Sequence, residues 1–570
     1  MTSNLDLWIA MTFKSNENPM FRSKFSEDIF KQKYAHQGCH TWADLAKTLV
    51  DDVCGEFLPK DELDDLTEII TDLKFIPGGR YLYYAGRPSK FFNNCYLLKA
   101  EEDSREDWAN LSWKSESCLM TGGGIGIDYS VYRPEGTGLS KTGGLASGPI
   151  PKMQMINEIG RRVMQGGSRR SAIYASLNWK HRDIETFLHS KNWYDMPVGS
   201  TGLSIGQIKE QDFNFAAPLD MTNISVNYDT EWLLNYWNTG DVGDVFKANV
   251  RQALSTAEPG FSFNFFDKEN ETLRNACTEV VSDKDSDVCN LGSCNLGRID
   301  NLEDFKKVVT LATKFLLCGT VKAELPYEKV YEVRQKYRRL GLGLMGMHEW
   351  LIKRGSRYEV TPELHRWLRV YKSMSDATSS SFANTLSVSV PVANRAIAPT
   401  GSIGILAGTS TGVEPIFAVA YKRRYLKNGT KWHYQYVVDS AAQELIDLYG
   451  ADPENIESAL DLADDYKRRI KFQADVQDYV DMSISSTINL PQWGSKENNE
   501  DTVSDFAATL ADHAHRLRGF TVYPDGCRGG QPLTPVAYSD AVGKLGEVFE
   551  ESIETHDICD ITGHGGSCGV

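Results

Sequence analysis

The sequence predicts a large protein of mixed helices and strands, one α/β catalytic domain with appendages. Three observations carry this. At 570 residues and 63.8 kDa the chain exceeds the size at which single cores stop growing. Residues 1–75 read as helical, with apolar residues at three- and four-residue spacing over 25–34 and 42–53. Further on, short aromatic and aliphatic runs bounded by Gly, Pro and Asn read as strands, and longer apolar periodic stretches read as helices.

Composition narrows the function classes. Hydrophobic content of 41% and charged content of 24% suit a soluble globular protein. The net charge of −16, from 61 Lys and Arg against 77 Asp and Glu, argues against broad nucleic-acid binding and leaves room for a local phosphate site. No apolar run reaches the ~18–20 residues that span a bilayer. Met1-Thr2-Ser3-Asn4-Leu5-Asp6 lacks the basic start and apolar core of a signal peptide. A cytoplasmic protein is expected, with no membrane or nucleic-acid partner and no resident metal. Eleven cysteines, an odd count, do not suggest a disulfide framework. Cys39, Cys54, Cys118 and Cys318 lie in ordinary contexts and read as structural. Cys95, Cys277, Cys289, Cys559 and Cys568 stand among polar, Gly or Asn neighbours.

In chain order, Ile76-Pro77-Gly78-Gly79-Arg80 breaks the helical region, and Tyr81-Leu82-Tyr83-Tyr84 is predicted as a strand. Residues 92–98 predict a second strand with Cys95 at its entry. Thr121-Gly122-Gly123-Gly124-Ile125-Gly126-Ile127-Asp128 is a tight turn or a backbone that a ligand can approach closely. Two glycine loops carry cations, one with Arg133 and Lys141, the other Gln165-Gly166-Gly167-Ser168-Arg169-Arg170-Ser171. They suit phosphate binding, or are solubilising surface loops. Residues 308–319 predict an apolar helix, and 338–346 a strand-to-helix passage. Residues 399–408, Pro399-Thr400-Gly401-Ser402-Ile403 onward, could cradle phosphate at a helix start. Helices over 441–449 and 502–516 and a strand over 520–523 follow. After Pro535 the chain thins to a charged segment and a Gly-rich end bearing Cys559 and Cys568. That end reads as a mobile redox arm, as idle thiols, or as a metal site with His556 and His564.

Asn275, Cys277 and Glu279 sit at i, i+2 and i+4. In an extended segment this places all three on one side. A thiol between an amide and a carboxylate is a poor core strand, because Glu is seldom buried without a partner. It suits a site that needs a sulfur reactant, a hydrogen-bonding amide and a general base. A surface loop with an incidental cysteine is the plainer alternative.

Taken together and in this order, these stretches resemble a ribonucleotide reductase catalytic subunit from about Ile76 onward. The resemblance implies a ten-stranded α/β barrel of two parallel five-stranded halves over 76–535, with a finger loop through its centre. A helical region (1–75) would precede it and a flexible redox tail (536–570) would follow. It implies that Cys277 carries a thiyl radical, that Asn275 and Glu279 hold and deprotonate the ribose 3′-hydroxyl, and that Cys95 and Cys289 are the reducing pair. Cys559 and Cys568 would relay electrons from a thioredoxin- or glutaredoxin-like protein. Asn94, Gly124, Thr400, Gly401, Ser402 and Ile403 would bind a ribonucleoside di- or triphosphate. Arg133 and Lys141 would hold deoxynucleoside triphosphate or ATP effectors, and Gly166, Gly167, Ser168, Arg169 and Arg170 would form the specificity loop. A second copy of the chain is a candidate partner.

Thr521-Val522-Tyr523-Pro524-Asp525-Gly526 has one tyrosine where a class I chain, served by a ferritin-like subunit, needs two adjacent ones. The chain is therefore most like the adenosylcobalamin-dependent class II, phage-borne forms included, and would work in the cytoplasm, the host's for a viral chain. The class I reading and a non-catalytic nucleotide-binding homologue are the alternatives. No ATP-binding cone is expected ahead of the barrel. Ala276, Thr278, Ser171 and Cys527 stand where the family pattern has Pro, Gly, Gly and Ser, and Arg80 where a small hydroxyl residue is usual.

Overall fold

The computed structural model describes residues 21–550, apart from 37, 142, 164–170, 200, 213–214, 428–430, 528–532 and 546. Three helices, Lys24–Lys33, Trp42–Cys54 and Lys60–Thr71, open it. The second begins in a reciprocal cap between Thr41 and Asp44, worth about 1 kcal/mol. Its buried stripe of Trp42, Leu45, Leu49, Val50 and Val53 joins the core beneath helix Leu302–Lys322.

A short strand, β1 (Phe75–Pro77), precedes the barrel. The first half is β2 (Cys95–Lys99), β3 (Gly124–Asp128), β4 (Ile173–Asn178), β5 (Thr222–Tyr228) and β6 (Gly260–Phe263), each parallel to the next. The second half begins with β7 (Asp287–Asn295) and its parallel neighbour β8 (Leu340–Met345). Residues 393–398 fill the next place. The Leu340 N–H donates to the Ala393 carbonyl at 2.9 Å, and the Ile397 N–H donates to the Ser483 carbonyl at 3.1 Å. From there the chain enters β9 (Thr487–Leu490), parallel to β10 (Gly519–Pro524). The halves meet antiparallel at two seams, where Cys95 faces Cys289 and Phe520 faces Phe261. Five plus five parallel strands thus close a ring, and helices such as Arg105–Met120 and Leu302–Lys322 cover its outside. No described helix is long and apolar enough to cross a membrane.

The predicted strand at Tyr81–Tyr84 is instead helix Gly79–Tyr84. Packing overrides its β-propensity: Tyr81 stacks on Phe92 with ring centroids 4.7 Å apart and meets Phe315 at 5.0 Å. A four-stranded antiparallel sheet also lies outside the sequence expectation. Its strands, in spatial order, are Leu533–Pro535, Ala420–Lys427, Lys431–Val438 and Val548–Glu550. Of the segment read as a tail, residues 538–542 form a helix and 548–550 the last of these strands. Residues 551–570, with Cys559 and Cys568, lie outside the described residues, as do Gly166, Gly167, Ser168, Arg169 and Arg170.

Candidate active site

The organising motif is the tip of a hairpin. Leu273 and Arg274 pair antiparallel with Ser282 and Val281. Between them the chain is turned, which corrects the extended geometry expected from the i, i+2, i+4 spacing. The Thr278 N–H donates to the Asn275 carbonyl at 2.9 Å, and the Asn275 side-chain oxygen accepts from the Val280 N–H at 2.9 Å. Thr278 sits at φ 71, a left-handed conformation that costs a β-branched residue and suits glycine.

The barrel wall is cut to admit this finger. A Cβ on Gly126 of β3 would lie 1.5 Å from the Arg274 carbonyl oxygen. Gly124, two residues earlier on the same strand face, lies against Ala172 and the Ala276 side chain. On the other side the Ser483 N–H donates to the Glu279 carbonyl at 2.9 Å, and Asn223 Nδ2 donates to the Ala276 carbonyl at 3.0 Å. The finger's base is pinned by the fully buried Arg274, which donates to Asn264 Oδ1 at 2.7 Å and to the Arg518 carbonyl at 3.1 Å. Burial, reinforced by the neighbouring Arg518 charge, lowers the Arg274 pKa to about 9.

These supports bring the predicted residues together. Asn275 Nδ2 donates to Cys95 Sγ at 2.9 Å. Cys95 and Cys289 are direct cross-strand partners, and neither is in a disulfide; Cβ atoms of such partners stand about 4.5–5.5 Å apart. A Cβ on Gly341 of β8 would stand 3.1 Å from Cys289 Sγ, so glycine there leaves the thiol its space. Burial, then the charges of Asp287 and Glu279, push the Cys289 thiol well above its ordinary pKa. Glu279 is fully buried, and among the described residues neither carboxylate oxygen meets a donor in hydrogen-bonding geometry. Burial raises its pKa to about 7, against a weaker downward pull from Asn275 and the backbone. Cys277 is 7% exposed and borders a cleft lined by Ser225, Gly260, Thr278, Thr487 and Thr521.

Other predicted positions are placed one by one. Thr400 has φ 53 and opens helix Gly401–Ala407; its Oγ1 accepts from the Gly412 N–H at 2.8 Å. Ser402 Oγ accepts from Lys33 Nζ at 3.2 Å, and Ile403 is buried. The Asn94 carbonyl accepts from the Gly124 N–H at 2.8 Å. Arg133 is paired with Asp103, while Lys141 is exposed in the same connection between β3 and helix Pro149–Arg162. Sequence reasoning passed over Asn223, Asn264 and Ser483. Asn223 and Ser483 act on the finger across a long sequence separation, Asn264 from the strand end ten residues before Arg274, and nothing local marks them.

The model of the family described as "Ribonucleotide reductase, barrel domain" matches residues 93–206, 229–381 and 393–523. A vitamin B12-dependent ribonucleoside-diphosphate reductase of Mycobacterium tuberculosis is 27% identical over 522 residues, covering 82% of this chain and 73% of that protein. A Mycobacterium phage D29 protein, provisionally named an adenosylcobalamin-dependent ribonucleoside-triphosphate reductase, is 26% identical over 516 residues, covering 74% and 70%. Among solved structures, the class Id ribonucleotide reductase alpha subunit of Actinobacillus ureae superposes with TM-score 0.69 at 15% identity, over 88% of this chain and 97% of that one.

Proposed function

Because this chain belongs to the ribonucleotide reductase family, we propose that it converts ribonucleotides to 2′-deoxyribonucleotides through a thiyl radical on Cys277, initiated by adenosylcobalamin. The observation that carries this is the finger, which holds Cys277, Asn275 and Glu279 inside the barrel beside the Cys95–Cys289 seam.

The residue chemistry follows from that placement. A Cys277 thiyl takes the 3′-hydrogen of the ribose and the Cys277 thiol gives it back at the end of the cycle, which restores the thiyl. Glu279, with its pKa near 7, is poised to receive the 3′-hydroxyl proton, and Asn275 orients that hydroxyl. The 2′-hydroxyl leaves as water, and the two electrons and two protons needed come from the thiols of Cys95 and Cys289, which become a disulfide. The backbone at Thr400, Gly401, Ser402 and Ile403 receives the substrate's di- or triphosphate, with Asn94 and Gly124 at the sugar end. Cys559 and Cys568 return electrons from a thioredoxin- or glutaredoxin-like protein. Arg133, Lys141 and residues 166–170 answer to deoxynucleoside triphosphate or ATP effectors in a cytoplasmic enzyme.

Adenosylcobalamin, when bound, supplies one-electron chemistry through its weak carbon–cobalt bond. Two relatives carry it or vitamin B12 in their names. The cleft that Cys277 borders is walled in part by the small residues Ser225, Gly260, Thr487 and Thr521, so the group would meet the thiol from that side. That lining favours this reading over delivery along paired tyrosines: Tyr83 and Tyr84 sit on helix Gly79–Tyr84 and do not line the cleft. The test is a turnover assay with a small dithiol, with and without adenosylcobalamin. Deoxynucleotide is expected only with it, and equal turnover in its absence overturns the assignment.

A further inference from the structure

Charge is unevenly balanced at the foot of the finger. Four cations gather there from separate parts of the chain: Lys268 in the connection from β6 to the finger, Arg274 on the finger, Arg339 just before β8 and Arg518 just before β10. Two of them are matched. Arg339 Nε donates to Asp287 at 2.6 Å, and Arg518 Nη2 donates to Glu271 at 2.8 Å. Asp481, also within reach of Lys268's field, is held by Arg395 at 2.5 Å. That leaves Arg274 and Lys268 against the exposed Asp267.

Unmet donors mark where the surplus lies. Arg518 is 7% exposed and directs Nη2 to Glu271 and Nε to the Phe263 carbonyl at 3.4 Å, while its buried Nη1 meets no acceptor among the described residues. The fully buried Arg274 likewise leaves Nε without one. Half-buried Lys268 makes no side-chain hydrogen bond or ion pair among the described residues. Burial, and then the Arg518 charge, lower its proton affinity. The turn that carries it is strained: Phe266, two residues earlier, sits at φ 56 with its N–H fixed on Thr230 Oγ1 at 2.7 Å. A bulky residue in the left-handed region is an outlier, and such strain gathers where ligands are held. Water can satisfy an orphaned N–H, yet it leaves neighbouring like charges uncompensated, and that is the larger penalty.

We infer that Lys268 and Arg518 form a binding site for a phosphate-class oxyanion at the foot of the finger. A Lys point charge beside an Arg fork suits phosphate, whose several acceptor oxygens can meet Nζ and Nη1 together. The site is separate from the Thr400 cradle. Thr400 follows the C-terminal end of a second-half strand, whereas Phe263 ends a first-half strand. The halves run antiparallel, so the two places lie at opposite ends of the barrel. The Phe263 N–H already donates to the Arg518 carbonyl at 2.9 Å. An anion between Lys268 and Arg518 adds a second tie between the chain entering the finger and β10, and so steadies the base from which Cys277 is presented.

The test titrates inorganic phosphate into the full chain, in a buffer free of other small inorganic anions, and reads calorimetry and amide exchange. Phosphate should protect peptides covering 264–274 and 516–520. Lys268→Gln, which removes a side chain without partners and should fold, is expected to weaken phosphate at this site by about 10- to 100-fold, the loss of one charge-assisted hydrogen bond. Lys268→Arg should restore most of the affinity. Equal phosphate stoichiometry and affinity in wild type and Lys268→Gln, protection confined to other peptides, or chloride binding as tightly as phosphate overturns the inference. A parallel titration identifies the source of the phosphate. A nucleoside triphosphate that protects the same two peptides, and fails to in Lys268→Gln, makes a nucleotide phosphate the ligand; protection by inorganic phosphate alone makes it the free ion. None of these readouts needs turnover, so they stand whether or not Cys277 carries a radical.

Discussion

Two buried cysteine pairs outside any disulfide invite comparison: Cys95 with Cys289, and Cys54 with Cys318. Burial acts alike on one member of each. It pushes the Cys289 thiol well above its ordinary value, with Asp287 and Glu279 adding to the effect, and it does the same to Cys54, helped by a hydrogen bond with Cys318. What differs is the company. Cys54 and Cys318 belong to helices Trp42–Cys54 and Leu302–Lys322 and to the apolar cluster between them. Cys95 and Cys289 lie on the strand seam, touched by the Asn275 amide and given space by Gly341. A thiol's proton affinity does not distinguish a reagent from a packing residue; its polar neighbours and the room beside it do.

The largest expected effect breaks the comparison at its centre. Cys277→Ser should fold and lose turnover by about a thousandfold or more, a barrier increase of at least ~4 kcal/mol; near-normal turnover would remove the thiyl role. Next, Cys95→Ser or Cys289→Ser should stop repeated turnover with a dithiol, because the two-electron donor is gone. The same change at Cys54 or Cys318 should leave activity per folded molecule intact. It should instead cost about 1–3 kcal/mol in denaturant unfolding, the penalty of a poorly paired hydroxyl in an apolar core. Activity lost equally in all four variants would erase the distinction.

Glu279 sharpens it through pH. A carboxyl whose folded pKa is about 7 is protonated below that value and can act as a base only above it, so kcat/KM should rise through pH 7. Glu279→Gln should lower kcat/KM by about 10²–10⁴-fold and flatten that rise. The stability sign is opposite. A pKa raised on folding means that the native state binds the proton more tightly, so stability falls as pH climbs from the unfolded to the folded pKa. Glu279→Gln should therefore gain on the order of 1–3 kcal/mol at pH 8 and little at pH 4, read from denaturant midpoints. The smallest effect concerns the turn: Thr278→Gly should gain about 0.5–1 kcal/mol by relieving φ 71, and a loss would mean that Thr278's packing beside Gly519 outweighs the strain.

Much of this site was legible because its chemistry is local in sequence. Asn275, Cys277 and Glu279 stand within one hairpin tip, and Gly124 and Gly126 mark a strand that something must approach. Their shape was not legible, because i, i+2, i+4 spacing suits both an extended strand and a turn closed by a left-handed Thr278. The barrel segment 393–398 escaped because Arg395, paired with Asp376 and Asp481 while itself buried, breaks the apolar run that marks an inner strand. Tyr81 to Tyr84 misled for the converse reason. Their aromatic content speaks of β-structure, whereas Phe92 and Phe315 select the helix.

The seam has a mechanical consequence. Cys95 belongs to one parallel half of the barrel and Cys289 to the other. In the proposed cycle each turnover would weld the halves together and each re-reduction would cut the weld, so the barrel alternates between a bolted and an unbolted state. Its rigidity would then keep time with its redox state, and amide exchange along β2 and β7 would slow in the product-bound, oxidised enzyme and quicken when electrons return.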